Sequence, residues 1–180
     1  QLQNECRWLK KLDQTQALVY RDDLTNLYNY RHLDQAIEGE LRRGLRFGTP
    51  FCLLFMDLDN FKAVNDSHGH MAGSDVLKQA ASVLRHTLRE VDVIIRYGGD
   101  EFIVILIGAN SNTGLLAGER IRKKFEAENF RVEGGRVVKI TASIGVAAFP
   151  EHAKDKDSLI KLADRLMYVS KEAGKNRVNI

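Results

Sequence analysis

An uninterrupted apolar run, Phe51 to Met56, ends abruptly at Asp57-Leu58-Asp59. Its lack of alternation predicts a strand over residues 51–57 that is buried on both faces. Before it, the apolar positions follow a helical period from about Asn29 to Leu45, and Gly48-Thr49-Pro50 ends that helix. After it come a short helix near 60–66 and a longer one near 73–89. A strand pair follows at about 92–97 and 101–107, hinged at Gly98-Gly99, where adjacent glycines can supply the positive φ of a tight turn. Beyond it the pattern predicts a helix at 112–128, a hairpin turning at Gly134-Gly135, a strand from Ile140 to Ala147, a helix from Ser158 to Lys171, and a short strand from Arg177 to Ile180. Elements in this order suggest a central mixed sheet with helices packed on it.

Residues 1–20 differ from the rest. Leu2, Leu9, Leu12 and Val19 stand at roughly heptad spacing among polar residues, which predicts an amphipathic helix with a narrow apolar seam. This segment reads either as the end of a longer signalling stalk or as a simple packed helix, with one globular domain at 21–180.

Composition narrows the classes. The 180 residues suffice for one domain with a proper core, and the net charge of +3 is spread along the chain, so no block forms a nucleic-acid arm. No stretch approaches the roughly 20 apolar residues of a membrane span. Cys6 and Cys52 lie far apart, with Cys52 inside the apolar run, so a buried free thiol and a reduced, cytoplasmic setting are expected.

Two acidic stretches carry the candidate chemistry. Asp57 stands at the end of the first apolar strand, just before a helix whose first amides are free to meet an anion. Taken alone, this stretch reads as well as a simple helix cap by Asp59 or Asn60. In Arg96-Tyr97-Gly98-Gly99-Asp100-Glu101-Phe102, a pair of acids follows the hairpin glycines. If the two strands are neighbours, Asp57 and Asp100 converge, and repelling carboxylates are tolerated where a divalent cation sits between them. Magnesium completes its shell with phosphate oxygens, and two such ions suit nucleotidyl transfer.

RYGGDEF, with FMDLDNFKAVND and DDLTNLYNYRH before it and ADRLMYVSKEAGKNRV near the end, strongly resembles the GGDEF family of dinucleotide cyclases over residues 20–180. The resemblance implies an α+β, palm-like nucleotide-cyclase fold with a mainly antiparallel central sheet flanked by helices. It implies Asp57, Asp100 and the Leu58 carbonyl as ligands of two magnesium ions, with manganese a possible substitute. Glu101 would assist the metal site or deprotonation, and the amides at Asn60 and Phe61 with Lys62 would cradle phosphate. Lys171 and Lys175 would hold the terminal phosphates, although Lys175 stands where the family usually has arginine, so a bidentate fork is lost. The implied reaction joins two nucleoside triphosphates through attack of a 3'-hydroxyl on an α-phosphate, performed twice, with pyrophosphate leaving. It requires a homodimer of two facing domains, aligned by the stalk and by an upstream sensory or receiver domain. The rival from another class is a catalytically inactive nucleotide receptor, but such members typically lose the signature acids that persist here.

One departure bears on the substrate. Asn65 is retained, whereas Ser74 stands where GTP-specific members carry a base-reading aspartate. Guanine presents two donors to a carboxylate, while a hydroxyl can donate or accept and so tolerates adenine as well. The substitution resembles the hybrid promiscuous subgroup, which predicts use of ATP and GTP to give 3',3'-cyclic GMP-AMP beside cyclic di-GMP. The plain alternative is an ordinary diguanylate cyclase. Arg89-Glu90-Val91-Asp92 matches the family's product-inhibition motif, with Arg120 as the further arginine; by itself the pattern also fits an ordinary surface ion pair. His68 and His70 with Asp66 could suggest zinc, but no further His or Cys completes a tetrahedral set.

Overall fold

The computed structural model describes residues 19–180, of which Val19 and Tyr20 are helical. The expected apolar seam of the first 20 residues and Cys6 therefore lie, Val19 apart, outside the described residues. The elements are β1 (Tyr28–Asn29), α1 (Arg31–Phe47), β2 (Phe51–Leu58), α2 (Phe61–Thr87), β3 (Val93–Arg96), β4 (Glu101–Ile107), α3 (Ser111–Ala127), β5 (Phe130–Val132), a 3-10 turn (Glu133–Gly135), β6 (Arg136–Val138), β7 (Ala142–Phe149), α4 (Lys156–Glu172) and β8 (Val178–Asn179).

Six strands form one sheet in the order β1-β3-β4-β2-β7-β8, and β5-β6 form a separate hairpin. The inner pairings β3-β4, β4-β2 and β2-β7 are antiparallel, and the two edge pairings are parallel. This is the expected α+β architecture with a mixed central sheet. β2 and β7 are buried at every position because they occupy the middle of the sheet with helices on both faces. The pleat sends alternate residues to opposite sides. Cys52, Leu54 and Met56 join Val76, Ala80, Ile121 and Phe125 under α2 and α3. Phe51, Leu53 and Phe55 join Ile37, Leu159, Ala163 and Met167 under α1 and α4.

Several predicted boundaries move. The two helices expected at 60–66 and 73–89 form a single element, broken at Gly69, whose φ of 84° is non-helical. The seventh strand runs two residues further than the pattern predicts, to Phe149. Gly134 and Gly135 turn the small hairpin with positive φ as expected. Gly98 and Gly99 correct the other expectation, for neither has a φ in the left-handed region. At Gly98 the reason is space, since Glu101 Oε2 lies 2.5 Å from where a Cβ would stand, whereas a Cβ on Gly99 would meet nothing within 4 Å. Space also fixes Gly145 on β7, where a Cβ would run into the backbone of Ala163 and Met167, so α4 rests directly on the strand.

Candidate active site

β2, a central strand, delivers Asp57 near its C-terminal end, on the α4 face of the pleat. Its direct cross-strand partner is Glu101 of β4, while the Leu58 amide donates to the Asp100 carbonyl at 3.2 Å. The expected meeting of the two acidic stretches therefore occurs, with Glu101 opposite Asp57 and Asp100 one residue away on the turn. Like charges across a strand pair repel. Asp57 is buried, and burial above all, then the charges of Asp100 and Glu101, pushes its carboxyl from the usual 3.8 up to about 6 against the opposing pull of Lys171. Burial also raises Glu101, followed by Asp100 and Asp164.

Lys171, in the last turn of α4, donates to Asp57 Oδ2 at 2.6 Å. It was expected on phosphate; here its ammonium supplies the positive charge that Asp57 lacks. Oxygen ligands on a strand end with a bound cationic group fit a hard divalent ion. Among the described residues no three His, Cys, Asp or Glu side chains gather into a ready-made metal cluster. The chain thus offers part of a shell, which suits magnesium, an ion that takes its remaining ligands from phosphate and water.

The phosphate-side candidates lie next to this centre. Asn60, with φ 60°, precedes α2, so the first amides of the helix at Phe61 and Lys62 have no intrahelical acceptor. The Asn60 side chain makes no cap bond and instead accepts from Lys175 Nζ, which brings Lys175 to the same helix start. Asp59 does not cap the helix either. It accepts from Thr141, Ser143 and the Asn176 amide. Asn65 lies against Gly73, since a Cβ there would collide with its Oδ1; Ser74 is the next residue along α2.

At the opposite end of β4 the Arg89–Asp92 pair is closed. Arg89 donates to Asp92 through Nη2 at 2.9 Å and Nε at 3.2 Å, and the amides of Arg89 and Ile107 donate at 3.0 and 3.3 Å. Four donors fill the acceptor sites of a carboxylate. In this arrangement Asp92 has no acceptor site left for a ligand, while Arg89 remains exposed toward a cavity of about 380 Å³ also lined by Arg21 and Arg85. Arg120 lies on α3, exposed, and does not line that cavity. The structure brings Arg89 and Asp92 together but not Arg120 with them.

Sequence reasoning missed one tie. Arg96 Nη1 donates to both oxygens of Asp22 at 3.1 Å, and its Nη2 donates to the Gly99 carbonyl at 2.9 Å, linking the start of the domain to the acidic turn. Burial tends to raise Asp22, but the Thr25 bonds and Arg96 hold it below its usual value. Both residues stand in recognised motifs, and that was the available signal. Cys52 is a buried free thiol, as expected, and burial and Glu151 push it up to about 12.

A family model described as "Diguanylate cyclase, GGDEF domain" matches residues 19–177, and the chain belongs to that family. It is 38% identical over 162 residues to Diguanylate cyclase DosC of Escherichia coli (strain K12), covering 90% of this chain and 35% of that one. It is 36% identical over 168 residues to the response regulator PleD of Caulobacter vibrioides, covering 93% and 37%. The chain thus spans little more than a third of the length of these relatives. Among solved structures, the GGDEF domain of PA1120 (TpbB or YfiN) from Pseudomonas aeruginosa superposes with TM-score 0.85 at 34% identity, over 88% of this chain and 92% of that one. The coiled coil and GGDEF domain of DgcB from Caulobacter crescentus, in complex with c-di-GMP, gives TM-score 0.88 at 29% identity over 99% and 94%.

Proposed function

We propose that this chain is the catalytic domain of a diguanylate cyclase, which binds one GTP and, facing a second copy, joins two GTP molecules into cyclic di-GMP with loss of two pyrophosphates. The observation that carries the reading is the cross-strand register, which sets the Asp100-Glu101 turn against Asp57 in a chain whose family signature is intact. Magnesium held by Asp57, Asp100 and the Leu58 carbonyl would supply the Lewis acid for the α-phosphate and the attacking 3'-hydroxyl. The chain's own residues bind and orient. The α2 amides at Phe61 and Lys62 receive phosphate, Lys175 closes on it, and Lys171, released from Asp57, turns its charge to the triphosphate. Asn65 and Ser74 face the base.

Each domain holds one triphosphate, so turnover depends on a homodimer, and an upstream sensory or receiver domain would govern pairing through the N-terminal helix. Arg89 offers a guanidinium group to a cyclic dinucleotide product as an inhibitory site, the Asp92 clasp opening to admit it, and Arg120, which does not line that cavity, would be borrowed from a second copy. The test is pyrophosphate release from GTP and magnesium by a verified dimer; nucleotide binding without turnover would favour a receptor instead.

A second reading rests on Ser74. Giving up a carboxylate relaxes discrimination against adenine, so ATP would enter and cyclic GMP-AMP would form beside cyclic di-GMP. The named relatives support the plain reading better. Equimolar ATP and GTP with products resolved by mass decides, and cyclic di-GMP alone rejects the mixed product.

A further inference from the structure

Asp59 is a buried carboxylate with 2% of its surface exposed, two residues beyond Asp57, and the chemistry above gives it no task. Its Oδ1 accepts from Ser143 Oγ at 2.7 Å, and its Oδ2 accepts from Thr141 Oγ1 at 2.7 Å and from the Asn176 amide at 3.0 Å. The hydroxyls come from β7 and its approach and the amide from the loop after α4, so one carboxylate joins three separate segments. Three donors converge on two oxygens, which a carboxylate meets with charge on both, while an amide side chain offers one neutral acceptor oxygen.

The loop it holds is conformationally costly. Gly174, Lys175 and Asn176 have φ of 111°, 64° and 48°, and two of these are not glycine. Such residues persist only where their surroundings fix them. Besides Asp59, the Asn176 side chain is gripped by Glu126 at 2.7 Å and by Arg122 at 3.1 Å. The result of this bracing is the placement of Lys175 Nζ on Asn60, at the mouth of the α2 amides.

We infer that Asp59 is a positioning residue, whose carboxylate locks the loop at Gly174–Arg177 so that Lys175 and the start of α2 form one triphosphate-binding surface. The inference rests on the cyclase reading for the identity of the ligand. It distinguishes phosphate from base: Asn65 and Ser74 lie further along α2 and make no hydrogen bond to Asp59, so the nucleoside end is untouched by Asp59. Asp59→Asn removes the charge from the bond that holds the Asn176 amide and leaves one acceptor oxygen in place of two, which loosens the loop.

The experiment measures binding of α,β-methylene GTP, in which the bond to the leaving pyrophosphate cannot be cut, and of GMP, to the full chain. Asp59→Asn weakens the triphosphate analogue about tenfold and leaves GMP unchanged, because a lost charge-assisted bond corresponds to about that factor. Hydrogen exchange at the Asn176 amide accelerates in the same variant. The double variant Thr141→Val, Ser143→Ala removes the two hydroxyls that orient the carboxylate and gives a smaller loss in the same direction; it also replaces Asp59→Asn should that variant not fold. Equal weakening of GMP and the analogue, or an unchanged Asn176 exchange rate, overturns the inference. If the unaltered protein does not bind the analogue at all, the cyclase reading fails, while the exchange measurement still decides whether Asp59 holds the loop.

Discussion

Gly134 and Gly135 close the β5-β6 hairpin with φ of 79° and 74°, while Gly98 and Gly99, between β3 and β4, keep out of the left-handed region altogether. Around the first pair the nearest atom a new side chain would meet is Arg136 Nε, at 3.8 Å from Gly134, so those glycines are there for their backbone angles. At the second pair Glu101 folds over Gly98, so that glycine is there because any side chain would displace an acid from the site. The same dipeptide serves a mechanical turn in one place and a chemical arrangement in the other. A diglycine in a sequence therefore signals constraint without saying of which kind, and the neighbouring residues must decide.

Substitutions can separate the two kinds. The largest effect is expected from Asp100→Asn in the acidic turn, which removes one of the proposed magnesium ligands and lowers pyrophosphate release at least about 100-fold, since even the supporting partners of ligands matter 10- to 100-fold; folding, followed by thermal melting, changes little. Next comes pH. Asp57, pushed up to about 6, must ionise to hold a cation, so the apparent magnesium affinity in a titration falls about tenfold per unit below that value. The stability sign is opposite. The folded state binds this proton more tightly than the unfolded chain does, so Asp57 stabilises at low pH and that contribution is lost as pH rises from about 4 to about 6. Asp57→Asn should flatten the melting temperature across that window.

Gly98→Ala is smaller, on the order of tenfold in turnover, because only the flexible end of Glu101 must move. Smallest is Gly135→Ala, which forces alanine into a left-handed angle at a cost of about 1 kcal/mol. It should lower the melting temperature by a few degrees and leave turnover intact. If Gly98→Ala destabilised and Gly135→Ala silenced the enzyme, the contrast between the two turns would be wrong.

The legible parts of the chain share a physical cause. β2 and β7 announce themselves as apolar runs because they are covered on both faces, and the acidic stretches stand out because charge at the end of such a run is anomalous. β1 escaped because two residues carry no period; its pairing with β3 is what makes Tyr28–Asn29 a strand. Asp59 resembled a cap because its true partners stand 82, 84 and 117 residues away. Lys171 could be assigned to phosphate by resemblance, but its hold on Asp57 depends on how closely α4 lies over the sheet, which no local pattern records.

That closeness traces back to Gly145. A single methyl group there would act as a shim beneath α4, prising the helix off its strand and swinging its far end like a lever arm. Lys171 rides on that far end, so the reach of its ammonium is calibrated by a hydrogen atom more than twenty positions earlier in the chain. Substitutions on the solvent side of α4 leave that reach alone, but the slot at 145 has room only for hydrogen.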